Sequence, residues 1–332
     1  MRATIKDVSR EAGVSIKTVS RVLNNERYVG AATRAKVEEA VARLNFRPSL
    51  AARSLAGRRS FQIALICDNP SPHYVYEMQS GIRDRCEADG VRMIAQPYDR
   101  GSRGLVGEIE ALIDTINLDG LVLTPPVTDN EAVLALLSAR GMRVARVSPG
   151  TPMPDAPSVF IDNARAAKEI VGHLIALGHR RIGHIAGPAD YATSAQRRDG
   201  YRTALAEAGI AADEALIMTG NFDFASGERA GEQLLDLADP PTALFAASDE
   251  MAAAALAVAH RRGIAVPGAL SIAGFGDDTL ASYVWPALTT VRQPVRRLGW
   301  TATDLLLEEG AADERELPFE LIVRESTGPV SR

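Results

Sequence analysis

Ser15, Ile16, Lys17, Thr18, Ser20, Arg21 and Asn24 gather, within ten residues, side-chain types suited to reading DNA. Lys17 and Arg21 can each donate to O6 and N7 of a guanine, and Ile16 can lie against a thymine methyl group. Ser15, Thr18, Ser20 and Asn24 are small donors suited to phosphate oxygens, contacts that fix register without reading sequence. Signatures of catalysis are missing. The sequence holds no G-x-S-x-G elbow, P-loop, H-E-x-x-H, or G-x-G-x-x-G following a strand. Two cysteines, Cys67 and Cys86, are too few for a disulfide framework or a Cys-based zinc site, so both read as reduced thiols. We therefore expect no metal, no cofactor and no enzymatic activity.

These donors need a rigid element to present them. Ile5, Val8 and Ala12 recur at helical spacing behind Thr4, and Gly13 stops that helix. Ser15 caps a second helix whose Val19, Val22 and Leu23 turn inward, leaving Ile16, Lys17, Ser20 and Arg21 outward. Two short helices around a glycine turn make a helix-turn-helix, whose second helix enters the major groove. A third helix is expected with Thr33 as cap, Val37, Val41 and Leu44 as buried face, and Pro48 as terminator. The segment from Ser49 to Gly57 is short and Ala-rich. An isolated helix under about 12 residues is marginal in water, so it is expected to order only when something stabilises it.

The chain has 332 residues, 46% hydrophobic and 24% charged, which suits two or three globular units. Residues 1–60 carry thirteen bases and five acids, net +8, whereas the remainder carries 24 bases and 37 acids, net −13. That asymmetry suits a polyanion-binding head on an acidic body. No apolar run approaches the roughly 18–20 residues of a membrane span. No apolar stretch follows Met1, Arg2 and Lys6, so a cytoplasmic, nucleoid-associated location is expected.

Residues 4–57 resemble the head and hinge of the LacI/GalR family of bacterial regulators. The likeness rests on Thr4-Ile5-Lys6-Asp7-Val8, Ala12-Gly13-Val14-Ser15, Thr18-Val19-Ser20-Arg21-Val22-Leu23-Asn24, Leu44-Asn45-Phe46-Arg47-Pro48 and Ala52-Arg53-Ser54-Leu55. It implies a homodimer reading a pseudo-palindromic double-stranded operator. The DNA-contacting set it implies is Thr4, Ser15, Ile16, Lys17, Thr18, Ser20, Arg21, Asn24 and Tyr28, with Ala52 and Leu55 from the hinge. Leu55 takes the position of a leucine that wedges into the minor groove, an apolar device that bends DNA; its plain alternative is packing.

Beyond Phe61, short apolar runs alternate with helical patterns. Strands are expected at 62–66, 92–95, 120–123, 143–147, 182–185, 243–245 and 270–273. Helices are expected near 74–89, 105–117, 130–140, 163–177, 194–208, 225–238, 249–262 and 294–309. The alternation implies an α/β body of two doubly wound parallel-sheet subdomains behind the all-α head. The resemblance continues through Gly178-His179-Arg180-Arg181-Ile182, Ser248-Asp249-Glu250-Met251-Ala252 and Leu288-Thr289-Thr290-Val291-Arg292-Gln293-Pro294. It implies a body similar to periplasmic sugar-binding proteins. The divisions are then a head at 1–47, a hinge at 48–60, an N-subdomain at 61–161 plus 293–320, and a C-subdomain at 162–292 plus 321–332.

Open α/β sheets bind ligands at the carboxyl ends of their strands. That places Asp68, Asn69, His73 and Tyr74, then Arg197, Phe222, Asp223, Ser248 and Asp249, as candidates. An aromatic face beside polar groups suits a sugar, which has an apolar face and a polar rim. In similar proteins the positions of Arg197 and Phe222 hold the effector by paired hydrogen bonds and by stacking. The family commonly reads Gly-Phe-Asp-Asp where this chain has Gly274-Phe275-Gly276-Asp277-Asp278. Either Asp277 takes over the hydroxyl contact or that contact is absent. The effector set is thus Asn69, Tyr74, Arg197, Phe222, Ser248 and Asp277.

Asp249 has helix capping as its plain alternative, and either Arg197 or Arg198 should be a surface charge. His173, His179, His184 and His260 are read as helix-end or surface residues, and Trp285 and Trp300 as packing. The family implies a repressor of carbohydrate-utilisation genes, controlled by a small sugar-like effector in the cleft. The alternatives are a corepressor-dependent or partner-protein-controlled regulator with a non-sugar ligand, and a transport-associated binding protein. Since the sequence ends at Arg332 without a heptad extension, a dimer rather than a tetramer is expected.

Overall fold

The computed structural model describes residues 3–23, 28–46, 59–98, 104–154, 156–308, 310 and 313–330. The chain divides into two compact units, Met1–Phe61 and Gln62–Arg332.

In the first unit, α1 (Ile5–Ala12), α2 (Ile16–Leu23) and α3 (Ala31–Arg43) surround a core of Val8, Val19, Val22, Val37, Ala40 and Phe46. The Thr4 amide and hydroxyl both donate to the Asp7 carboxylate, at 2.9 and 2.7 Å, and fix the first turn of α1. The Thr4 hydroxyl bond is the chief cause that lowers the Asp7 pKa. Gly13 ends α1 at φ 65°, a left-handed conformation that glycine adopts freely. Ser15 Oγ accepts from the Thr18 amide at 3.1 Å and so starts α2.

The third helix departs from expectation. It begins at Ala31 behind Gly30, so Thr33 lies inside its first turn rather than capping it. Val41 and Leu44 are only half-buried, and Ala40 and Phe46 take the inner places. The expectations for Asn24, for Pro48 as terminator and for the hinge with Ala52 and Leu55 lie outside the described residues.

The second unit is α/β. Its strands are β1 (Gln62–Cys67), β2 (Arg92–Pro97), β3 (Gly120–Leu123), β4 (Val144–Val147), β5 (Ser158–Phe160), β6 (Ile182–Ala186), β7 (Ile217–Thr219), β8 (Ala243–Ala246), β9 (Ser271–Ala273), β10 (Thr290–Arg292), β11 (Glu314–Glu316) and β12 (Glu320–Ile322). Its helices are α4 (Pro72–Asp89), α5 (Leu105–Thr115), α6 (Glu131–Ala139), α7 (Asn163–Ala176), α8 (Ala192–Glu207), α9 (Phe224–Leu235), α10 (Asp249–Arg261), α11 (Thr279–Tyr283) and α12 (Val295–Leu307).

One sheet runs β11-β5-β4-β3-β1-β2 and a second runs β7-β6-β8-β9; every pairing in both is parallel. Near-continuous apolar strands such as Ile63–Ile66 and Ala243–Ala246 suit sheets covered on both faces. Ala64, Ile66, Leu121 and Leu123 pack with Ile109 of α5 and Val133 of α6. Ile185, Leu244 and Ile272 pack with Leu234 of α9 and Leu256 of α10.

The chain passes between the two sheets three times: after β5, between β10 and α12, and between β11 and β12. β10 and β12 pair antiparallel and bind the last two passages together. Helices α4 and α12 touch backbone to backbone. A methyl group on Gly81 would fall 1.8 Å from the Arg296 carbonyl oxygen, and one on Gly299 would fall 2.5 Å from that of Met78. Glycine at both positions permits the approach.

The expected helices and the longer strands are present, with ends displaced by a few residues. The strands β5, β7, β10, β11 and β12 and the short helix α11 were not anticipated. His184 is corrected: it sits in the centre of β6 with no exposure, stacked 4.8 Å from Phe245 and 5.1 Å from Tyr201. Desolvation pushes its pKa down to about 4. His179 follows the end of α7 but is buried, its ring nitrogens 2.9 Å from the Thr242 hydroxyl and 3.0 Å from that of Ser271. Trp285 and Trp300 are corrected as well, being 79% and 42% exposed. Cys67 and Cys86 are free and buried, and burial pushes both thiols up to about 11.

Candidate functional sites

The head presents one polar face. Lys17 and Arg21 are exposed on α2, and Ile16 is 44% exposed although apolar, because Val19 and Val22 take the inner side. Thr4, Ser15 and Tyr28 are also exposed, and Thr18 and Ser20 are half-buried. This is the surface that a groove-reading helix requires: long donors and one apolar contact on a well-packed support.

A narrow cleft opens at the carboxyl ends of both parallel sheets in the second unit. Five of the six expected effector residues line it: Asn69, Tyr74, Arg197, Phe222 and Ser248. Each follows from a local cause. Asn69 Oδ1 accepts the Ser71 amide at 2.9 Å and shapes the turn after β1. Ser71 caps α4, and Tyr74 lies in its first turn. Tyr74 is half-buried in the cleft wall, and desolvation raises its hydroxyl pKa above the ordinary value. Phe222 adopts φ 61° in the turn before α9, and its ring meets Tyr191 edge-on at 5.1 Å. Gly187 makes room for that ring, since a methyl group there would fall 2.3 Å from it. Ser248 caps α10, accepting the Met251 amide at 3.2 Å.

Arg197 is held from several sides. Its Nε donates to Asn163 at 3.0 Å, one terminal nitrogen to the Ala247 carbonyl at 2.6 Å, and the other to Gln293 at 3.3 Å. The guanidinium lies over the Phe275 ring at 3.7 Å and 5.9 Å from that of Phe222. Desolvation lowers its pKa to about 9, so it keeps its charge at neutral pH. Arg197 lies in the second turn of α8, not at its start, and the adjacent Arg198 is half-buried rather than a free surface charge.

Asp277 does not line the cleft, which corrects its place in the effector set. At φ 58° its backbone turns the carboxylate toward Arg292, at 2.6 Å, and Arg324. Asp278 lines the cleft instead. The side chains of Asp223 and Asp249 and the backbone of Asp68 likewise serve the frame. Asp223 caps α9 through the Ser226 amide at 2.7 Å, and the Asp68 carbonyl accepts the Tyr191 hydroxyl at 3.0 Å. Asp249 does not cap α10; it is fully buried, accepting the Thr290 hydroxyl at 2.6 Å and the Asp278 amide at 2.8 Å.

Tyr191, Phe275, Asp278 and Gln293 also line the cleft and escaped the sequence reading. Tyr191 and Phe275 follow strands, so the strand-end argument contained them. Gln293 belongs to a segment that returns from far along the chain, and only its place in the Leu288–Pro294 run marked it.

The comparisons with known proteins agree with this geometry. Residues 4–49 match the profile of bacterial regulatory proteins of the lacI family, and residues 171–327 match a periplasmic binding protein-like domain. The HTH-type transcriptional regulator DegA of Bacillus subtilis (strain 168) is 34% identical over 338 residues, covering 100% of both chains. The chain belongs to the lacI family. Among solved structures, the lac repressor dimer bound to operator and the anti-inducer ONPF is similar at a TM-score of 0.84, with 29% identity over 99% of this chain and 100% of that one. The complex of the transcriptional regulator CelR with cellobiose gives 0.76, with 31% identity over 98% and 100%. As a lacI-family protein, the chain is a DNA-binding regulator of transcription with a helix-turn-helix head and a periplasmic-binding-protein-like body, not an enzyme.

Proposed function

We propose that this lacI-family protein is a repressor of carbohydrate-utilisation genes that binds its operator as a homodimer and responds to a sugar-like ring in the cleft. The observation that carries the effector reading is the convergence of Asn69, Tyr74, Arg197, Phe222 and Ser248 on one cleft. An aromatic face with polar groups around it matches the two sides of a sugar ring. The subdomains on either side are those divided near residues 161 and 293. Several hydrogen bonds link their strand ends, Tyr191 to the Asp68 carbonyl and Ser71 to Asp278 among them. An effector that favours one arrangement of these contacts shifts the population that binds operator, by as much as its affinities for the two states differ.

The dimer reading rests on the solved lac repressor dimer and on Tyr283 and Trp285, both 79% exposed on one turn. Neighbouring exposed aromatic groups make an apolar patch of the kind found at interaction surfaces, whereas single ones are ordinary.

The deciding measurement is fluorescence anisotropy of the protein on DNA from upstream of its own gene, against scrambled DNA, with mono- and disaccharides added in turn. Binding at least ~10³-fold tighter than to scrambled DNA, and released by one sugar, is the expected result. Specific binding that no sugar alters removes the sugar reading and leaves the operator reading standing.

A further inference from the structure

Besides Arg197, two carboxyl groups line the cleft, those of Glu250 and Asp278. Both face this cleft, and Glu250 disfavours a charge on Asp278. Asp278 is buried at 8% exposure, and its Oδ2 accepts the Ser71 hydroxyl at 3.0 Å. Its amide donates to Asp249, a third carboxyl group, at 2.8 Å. Among the described residues, the basic side chain within 4 Å of Asp278 is His73, at 3.6 Å, and none pairs with Glu250. Arg197 is engaged elsewhere, by Asn163, Ala247, Gln293 and Phe275.

Two carboxyl groups so placed do not both ionise readily, and the pair retains one proton. Burial, reinforced by the neighbouring Glu250 and Asp249 charges, pushes Asp278 up to about 9, and burial pushes Asp249 up to about 7. The shared proton occupies a place that a ligand cation fits better. An ammonium group can donate to both carboxylates at once, and such charge-assisted hydrogen bonds are roughly twice as strong as neutral ones. A hydroxyl offers only the neutral bond. A ligand carboxylate or phosphate meets like charge.

We propose that Glu250 and Asp278 select an effector that carries a basic nitrogen on a ring, an amino sugar or similar aminated ring, with the ring face against Phe222. The inference rests on the cleft being the effector site and names the ligand class that site takes. Binding exchanges the proton of the carboxyl pair for the ligand's ammonium, and the proton leaves to solvent.

The test is isothermal titration of the full chain with matched ring compounds that differ in one substituent. One series is glucosamine, glucose and glucuronate; the other is cyclohexylamine, cyclohexanol and cyclohexanecarboxylate. The amine should bind at least about 10-fold tighter than its hydroxyl and carboxylate partners. It should release about one proton near neutral pH, read from the dependence of the heat on buffer ionisation. The double variant Glu250→Gln, Asp278→Asn should abolish both the preference and the proton release while the thermal unfolding temperature reports that it remains folded. Hydroxyl or carboxylate members that bind as well as the amines, or amines that fail to bind at millimolar concentration, overturn the proposal. If a neutral sugar binds and Phe222→Ala removes it, the cleft remains the effector site and the amine inference alone falls. If Phe222→Ala leaves that binding unchanged, the cleft reading falls too.

Discussion

The guanidinium carbon of Arg197 lies 3.7 Å from the centroid of the Phe275 ring, a face-on cation–π contact inside a desolvated cleft. Its three nitrogens meanwhile serve Asn163, the Ala247 carbonyl and Gln293. Arg197 is therefore part of the frame as well as part of the cleft wall. Arg197→Ala leaves those partners unsatisfied at about 1–3 kcal/mol each. We expect a net loss of about 3 kcal/mol of body stability in urea unfolding, together with loss of the effector response. A variant that unfolds at the wild-type midpoint would show that water replaces the guanidinium without cost.

The carboxyl groups behind the cleft give the body a pH dependence. Asp249 and Asp278 are raised from 3.8 to about 7 and about 9, so the folded chain holds protons that the unfolded chain has released. Their contribution to stability is complete below about pH 4 and is lost as pH rises through about 7 and then about 9. His184 has the opposite sign, since its lowered pKa gives stability that is present above pH 6.5 and lost as pH falls through about 4. Wild type should therefore lose stability relative to Asp278→Asn between pH 5 and pH 9. Denaturation midpoints at the two values decide it, and a difference independent of pH contradicts the assignment.

Arg21 stands exposed on α2 beside Lys17. Arg21→Ala should cost about 1–3 kcal/mol on the correct operator and relax discrimination at one base pair. A uniform loss over all sequences, accompanied by a shallower salt dependence, would instead make Arg21 a phosphate contact.

Trp285→Arg should shift the protein toward monomer in sedimentation at micromolar concentration, because the charge would have to be buried against the second copy. An unchanged dimer places the interface elsewhere.

The sequence displayed what repeats over many residues. Val8, Val19 and Val22 carried the helical period of the head, and runs such as Gln62–Ile66 carried the sheets. Three-residue strands such as β5 and β7 are too short to show alternation, and β10 pairs with β12 across a long separation that no local pattern records. His184 looked polar and therefore external, but its ring is an aromatic slab between Phe245 and Tyr201. In the cleft, Asn69, Tyr74, Arg197 and Ser248 were legible because they follow expected strands, whereas Phe222 follows the unanticipated β7 and was marked by the family resemblance. Asp277 was misplaced because its positive φ, invisible in the sequence, sends the carboxylate to Arg292 and Arg324.

The contact of α4 with α12 ties residue 81 to residue 296, and the edge strand β11 joins the first sheet only at residue 314. A chain emerging from the ribosome makes residues 62–160 early, yet the last strand and a covering helix of that layer come from its final eighth. Domains otherwise tend to fold in the order of synthesis. The second layer, whose strands run from 182 to 273, waits as well: the Ile272 amide donates to the Ser326 carbonyl and the Val330 amide to that of Leu177. Both layers are thus completed only by the end of the chain, and a truncation that removes the final eighth strikes the two together.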